Sequence, residues 1–217
     1  RDRLRSRGLG DVYKRQSHIS ATDNIEMIVA VFHPYAMSTF LNVPTSLFYN
    51  REVSGYGLEN KELNCLAARV LDCKDNNFCI YLIEQWLLSQ LRINSTSRRE
   101  QDIDRIMTVI RQMYSNPNIR ISELASIACL SKKQFERVFL AMVGMNPKEY
   151  ARIVRFQKSL KLMQNQPEDI VLAQISYQCG YSDQSHFIRE FRTLSGYTPL
   201  SLREICEPYS DLFTTPL

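Results

Sequence analysis

Only three histidines and six cysteines occur in 217 residues, and no two cysteines stand in a C-x-x-C pair. Cys65, Cys73, Cys79, Cys129, Cys179 and Cys206 therefore lack the spacing of a structural zinc site, and no histidine cluster supplements them. Free thiols without a secretory leader fit a reducing cytoplasm rather than a disulfide framework. Seven scattered glycines form no phosphate-cradling loop, and neither a Ser/His/Asp set nor a paired-carboxylate site stands out, so no catalytic residues, metal or cofactor are expected. No run of eighteen apolar residues is present to span a membrane. Charge of one sign is also scarce: the net value is only +4. Any attraction to a polyanion must come from where the bases sit. Residues 131–161 hold eight bases against two acids. Hydrophobic residues make up 44% of the chain, ordinary for globular folds, and the length allows two domains.

What the chain does contain is one short pattern written twice in its last hundred residues. The first copy runs Leu124-Ala125, Leu130-Ser131, Phe135, Arg137, Phe139, Gly144 and Pro147; the second runs Ile175-Ser176, Tyr181-Ser182, Phe187, Arg189, Phe191, Gly196 and Pro199. From Phe135 and Phe187 onward paired positions are offset by 52, and before them by 51, so the second copy carries one extra residue after Ser182.

Each copy reads as two short helices around a tight turn. In the first, Ser122 is a cap for a helix with Leu124, Ala125, Ile127 and Ala128 on its apolar face. Ser131 is an N-cap for the next helix, and Gln134 three residues on completes a capping box. That helix buries Phe135, Val138, Phe139 and Met142 at i, i+3, i+4 and i+7, and Gly144 ends it. Lys132, Lys133, Gln134, Glu136 and Arg137 are left on its outer side. In the second copy a helix opens near Asp169 and carries Ile170, Leu172, Ala173 and Ile175; Gly180 supplies the turn, and Ser182 caps a helix buried through Phe187, Phe191 and Leu194. Gln184, Ser185, His186, Ile188 and Arg189 face outward. Cys129 and Cys179 fall at small, buried turn positions. Asn146-Pro147 and Thr198-Pro199 each place a capping residue before a proline at the first helical position. Lys148 to Gln164 reads as one helix joining the copies.

Two helices around a turn, the second with a polar outer ridge, is the layout of a helix-turn-helix reader. Arginine matches the paired acceptors of guanine and glutamine the edge of adenine, so Arg137, Gln134, Gln184 and Arg189 suit the major groove. Two readers fixed on one rod are expected to enter successive groove segments roughly 34 Å apart. The phenylalanines share the phase of the other apolar positions and are core rather than base-stacking groups.

On these residues, and above all on the run Gly180 to Pro199 (GYSDQSHFIREFRTLSGYTP), the stretch from about 100 to 206 resembles the DNA-binding domain of the AraC/XylS family of transcription regulators. The resemblance implies a mainly α fold with seven helices, the first over Asp102–Tyr114. It implies base-edge contacts from Lys132, Lys133, Gln134, Glu136 and Arg137 and from Gln184, Ser185, His186 and Arg189, with Lys148 and Arg152 on phosphate. Double-stranded DNA, RNA polymerase and a small-molecule effector are the partners it implies, and a homodimer the assembly. Tyr181 and Ile188 depart from the commoner residues of the motif.

The remaining segments divide as follows. Residues 1–16 follow no helical or strand period and read as a disordered, translated sequencing-adapter artefact. Residues 17–94 resemble the carboxy-terminal part of a sensor domain, expected to be α+β: Glu26–His33 is read as a buried strand. Helices are expected at Ala36–Leu41, Thr45–Phe48, Asn60–Leu71 and Asn77–Leu91. His33 beside Pro34 is read as a packing group. Residues 95–101 are the linker, 102–206 the DNA-binding domain and 207–217 a tail. The alternative function is DNA-alkylation repair by a zinc-bound, methyl-accepting cysteine. It needs clustered cysteines ahead of Ile103, and Cys65, Cys73 and Cys79 are spaced as core groups of amphipathic helices instead.

Overall fold

The structure, a computed structural model, describes residues 28–41, 43–49, 51, 53–165 and 172–205. Among them the chain forms α1 (Met37–Phe40), two 3-10 turns (Thr45–Phe48 and Gly55–Leu58), α2 (Lys61–Asp72), α3 (Asn76–Asn94), α4 (Ser97–Ser115), α5 (Ile121–Ile127), α6 (Lys132–Val143), α7 (Pro147–Asn165), α8 (Leu172–Gln178), α9 (Gln184–Ser195) and α10 (Pro199–Ile205). The last seven are the seven helices that the resemblance implies. α4 starts earlier than its apolar residues alone suggest, so the segment read as a linker is helical from Ser97. The expected opening of a helix at Asp169 lies outside the described residues.

The expected strand is not found among the described residues. The run Glu26–His33 has no strand among its described residues, 28–33, and Ile28, Val29 and Val31 are exposed. An extended run needs a neighbouring strand to pair its backbone groups, and no strand occurs among the described residues. The region ahead of α4 is helical there rather than α+β.

Local chemistry explains the element ends. The Asn60 side chain accepts from Leu63 N at 3.0 Å and opens α2, and Asp75 accepts from Asn77 N at 2.9 Å and opens α3. Each side chain satisfies amides that the first turn leaves without a helical partner. Ser122 does not cap α5: the helix begins one residue earlier, and Leu124 N donates to Arg120 O. No helix among the described residues is long and apolar enough to cross a membrane.

The described chain forms two compact units. One comprises residues 28–108 and 125–146. In it α1 and α2 pack on α3, while α1 and the turn at Thr45–Phe48 pack on α6. Gln90 Nε2 donates to Glu62 Oε2 at 2.7 Å, and Asn94 Nδ2 to the Thr39 carbonyl at 3.0 Å. The other unit comprises residues 109–124, 147–165 and 172–205. Its core is Met163, Ile175, Cys179, Tyr181, Phe187, Phe191 and Leu202, with Ile188 packed against it. Phe156 of α7 meets Phe191 of α9 edge to face at 4.9 Å, and the Tyr114 hydroxyl donates to Gln157 Oε1 at 3.1 Å.

Candidate nucleic-acid interface

The duplication holds bond by bond. In the first turn Leu130 N donates to Ala125 O and Cys129 N to Ser126 O; in the second Tyr181 N donates to Ser176 O and Gly180 N to Tyr177 O, all at 3.0 Å. This pair of bonds closes a helix through a left-handed residue. That residue is Cys129 at φ 55° in the first copy and Gly180 at φ 79° in the second. Cys129 therefore corresponds to Gly180 and is exposed, contrary to the expectation that it is buried. The buried small groups are Ala128 and Cys179. Burial pushes the Cys179 thiol up to about 11, with Lys158 opposing the rise. Both following helices, α6 and α9, end on left-handed glycines, where Gly144 N donates to Leu140 O and Gly196 N to Arg192 O at 2.9 Å.

The starts of the two outer helices differ. Ser131 Oγ accepts from Gln134 N at 3.4 Å, while Gln134 Oε1 accepts from Ser131 N at 3.2 Å, so the expected capping box is present. In the second copy the cap is Asp183, not Ser182: its carboxylate accepts from His186 N at 2.7 Å. The extra residue shifts the cap by one, which keeps cap and phenylalanine four apart in both copies. The amide bond from His186, aided by the Ser182 hydroxyl, holds the Asp183 carboxyl below the usual carboxylate range.

Phe135, Phe139, Phe187 and Phe191 are fully buried, as expected of core groups. Lys132, Lys133, Gln134, Glu136 and Arg137 are all exposed on α6, and Gln184, Ser185 and Arg189 on α9. The residues at the third helical position fold back: Gln134 into its capping box, and His186 so that Nδ1 lies 3.1 Å from Ser182 Oγ. Ile188 is half-buried against the core, so packing accounts for it.

A family model described as a helix-turn-helix domain matches residues 124–205, which include both copies and the helix between them. The chain is similar to the probable transcriptional regulator LumQ of Photobacterium leiognathi, 23% identical over 184 residues that cover 83% of this chain and 72% of that protein. It is 36% identical to the uncharacterized HTH-type transcriptional regulator YdeC of Bacillus subtilis over 87 residues, which are 40% of this chain and 29% of the relative. A transcriptional regulator from Chromobacterium violaceum, solved as a crystal structure with an AraC-type DNA-binding domain, is 24% identical at a TM-score of 0.45, covering 48% of this chain and 95% of that one. Residues 124–205 thus carry a helix-turn-helix domain of the kind found in transcriptional regulators. The protein is a DNA-binding transcription regulator, and no observation favours the methyl-acceptor alternative.

Of the three cysteines which that alternative needs, all expected to be core groups, only Cys79 is buried, its thiol donating to the Val70 carbonyl at 3.6 Å; Cys65 is exposed and Cys73 half-buried. One feature of each copy escapes the sequence reading. Glu190, at a position in phase with Phe187 and Phe191, is a buried carboxylate. Arg152 Nε and Arg155 NH2 donate to it at 3.2 and 3.1 Å. The side chain of Arg152 keeps 26% of its surface exposed, and Lys148 is exposed one turn earlier. An acid on a buried phase, with two arginines three apart on the preceding helix, is the signal that would have found this cluster. The other missed contact joins distant residues: Thr45 Oγ1 donates to the Ala141 carbonyl at 2.7 Å, near the end of α6.

Proposed function

We propose that this regulator reads duplex DNA with α6 and α9, each in its own stretch of major groove. One observation carries the reading: a helix-turn-helix built twice with matched backbone bonds, each copy turning an exposed polar ridge away from its core. From α6 the reading groups are Lys132, Lys133, Gln134, Glu136 and Arg137. From α9 they are Gln184, Ser185, His186 and Arg189. Arg137 and Arg189 match guanine and Gln184 matches adenine. Gln134 and His186 must leave their cap contacts to reach a base. Lys148 and Arg152 at the start of α7 contact phosphate, fixing register without reading sequence. Residues 17–94 form the end of a sensor for a small-molecule effector. RNA polymerase and a second copy of the chain are further partners, and the setting is cytoplasmic. The protein acts by binding rather than by catalysis.

The test uses sites selected by the full chain from a random duplex pool. Arg137→Ala and Arg189→Ala are expected each to weaken specific binding by about 1–3 kcal/mol and to relax preference at different half-sites. Equal losses on selected and random DNA would refute base reading by those arginines.

A further inference from the structure

The two readers share a backbone plan, yet the sequence replaces Val138 of the first with Glu190 in the second. A buried carboxylate is costly unless charges and hydrogen bonds compensate it. Here the compensation comes from another helix. Arg152 and Arg155 of α7 both donate to Glu190, whose side chain is only 7% exposed. Glu190 Oε2 also lies 3.6 Å from His186 Nε2, one turn earlier on α9. The His186 ring stands edge to face on Tyr181 at 5.5 Å, and the Arg155 guanidinium sits 5.2 Å from the centre of that same ring. One carboxylate thus ties α7, the first turn of α9 and the residue after the tight turn into a single polar cluster.

We propose that Glu190 is a positioning residue for sequence reading by α9. Resting on the reading of α9 as a recognition helix, this assigns Glu190 two effects. Its bonds to Arg152 and Arg155 set the roll of α9 against α7, and with it the directions of Gln184, Ser185 and Arg189. Its charge also partly offsets the two guanidinium groups and so tempers their sequence-blind attraction for phosphate, including that of Arg152. Selectivity therefore gains twice from a residue that touches no base. Glu190 acts through its neighbours, and removing its charge moves specific and non-specific binding in opposite directions.

The experiment compares full-length wild type, Glu190→Gln, Glu190→Val and Arg189→Ala on sites selected by the wild type from a random duplex pool, and on random duplex, over a range of salt. Glu190→Val installs the residue of the first copy and keeps the position packed if the amide variant fails to fold. Both Glu190 variants are expected to lose about 3- to 30-fold in preference at the half-site that Arg189→Ala relaxes. The half-site read by α6 keeps its preference, and the salt slope on random duplex steepens by about one. The proposal is overturned if preference at the α9 half-site is unchanged. It is equally overturned if both half-sites weaken together with no change in slope, because that is the signature of a residue that only stabilises the fold. If Arg189→Ala itself relaxes neither half-site, base reading by α9 has failed, a different result from failure of the role of Glu190.

Discussion

The two helix-turn-helix copies have the same turn, the same glycine ends and the same phenylalanine pair, but they are braced from different directions. In the first, the end of α6 is held by Thr45, whose hydroxyl donates to Ala141 O and whose own carbonyl lies against Gly144. In the second, the end of α9 is open around Gly196, and the bracing sits mid-helix in Glu190 with Arg152 and Arg155. A duplicated backbone therefore did not bring duplicated support. The first reader leans on a segment about a hundred residues upstream, and the second on the helix that precedes it.

Gly144 and Gly196 test that difference most sharply. Both need a left-handed backbone, at φ 83° and 82°, a conformation that disfavours any Cβ by about 1–2 kcal/mol. At Gly196 nothing lies within 4 Å of a Cβ, whereas at Gly144 the Thr45 carbonyl oxygen would stand 2.7 Å away. Gly196→Ala is expected to cost only the backbone penalty. Gly144→Ala adds an overpacking penalty and totals about 2–5 kcal/mol. Hydrogen exchange of the α6 and α9 amides measures both. Equal losses would mean that Thr45 yields freely and the first reader is not braced by it.

The turn residues carry the next effect. Cys129 occupies with a side chain the left-handed position that Gly180 fills without one. Cys129→Gly is expected to stabilise the first copy by about 1 kcal/mol. Gly180→Ala is expected to destabilise the second, since its Cβ would fall 2.4 Å from Asn118 Oδ1. Denaturant titration of the two variants reads the signs. Two changes of the same sign would show that the turns, matched in hydrogen bonds, are not matched in strain.

Much of this architecture was legible because it is local. Ser131, Gln134 and Gly144 declare the bounds of α6 by identity and spacing, and Thr198 before Pro199 opens α10 with its Oγ1 accepting from Ser201 N at 3.2 Å. Asp183 was missed for an equally local reason: aligning on the turn selects Ser182, while aligning on Phe187 selects the true cap. Glu190 stood on an apolar phase that its charge disguised. Thr45 could not be read, since nothing in the sequence links it to a carbonyl 96 residues later. The run after Glu26 was misread because β-rich composition reports a preference, and a strand also requires a partner. The ridge residues were legible from the same phase that buries the phenylalanines, but phase does not reveal that Gln134 and His186 turn back on their own caps.

Those caps give the smallest and most selective contrast. Ser131 is neutral, and Ser131→Ala is expected to cost the first copy about 1 kcal/mol at any pH. Asp183 is charged, and hydrogen bonds to its carboxylate hold its ionisation below the ordinary value of 3.8. A carboxyl depressed in the folded state stabilises that state fully above the unfolded value, and the contribution fades as pH falls through the folded one. The informative quantity is the difference in stability between wild type and Asp183→Ser followed from neutral pH downward. That difference is expected to shrink below 3.8, while the difference between wild type and Ser131→Ala stays flat. Exchanging the caps sharpens the comparison: Ser131→Asp should transfer the acid sensitivity to the start of α6. If α9 kept its advantage at a pH where Asp183 is protonated, the carboxylate would not be what starts that helix, and the asymmetry between the two readers would have to be sought in the Glu190 cluster alone.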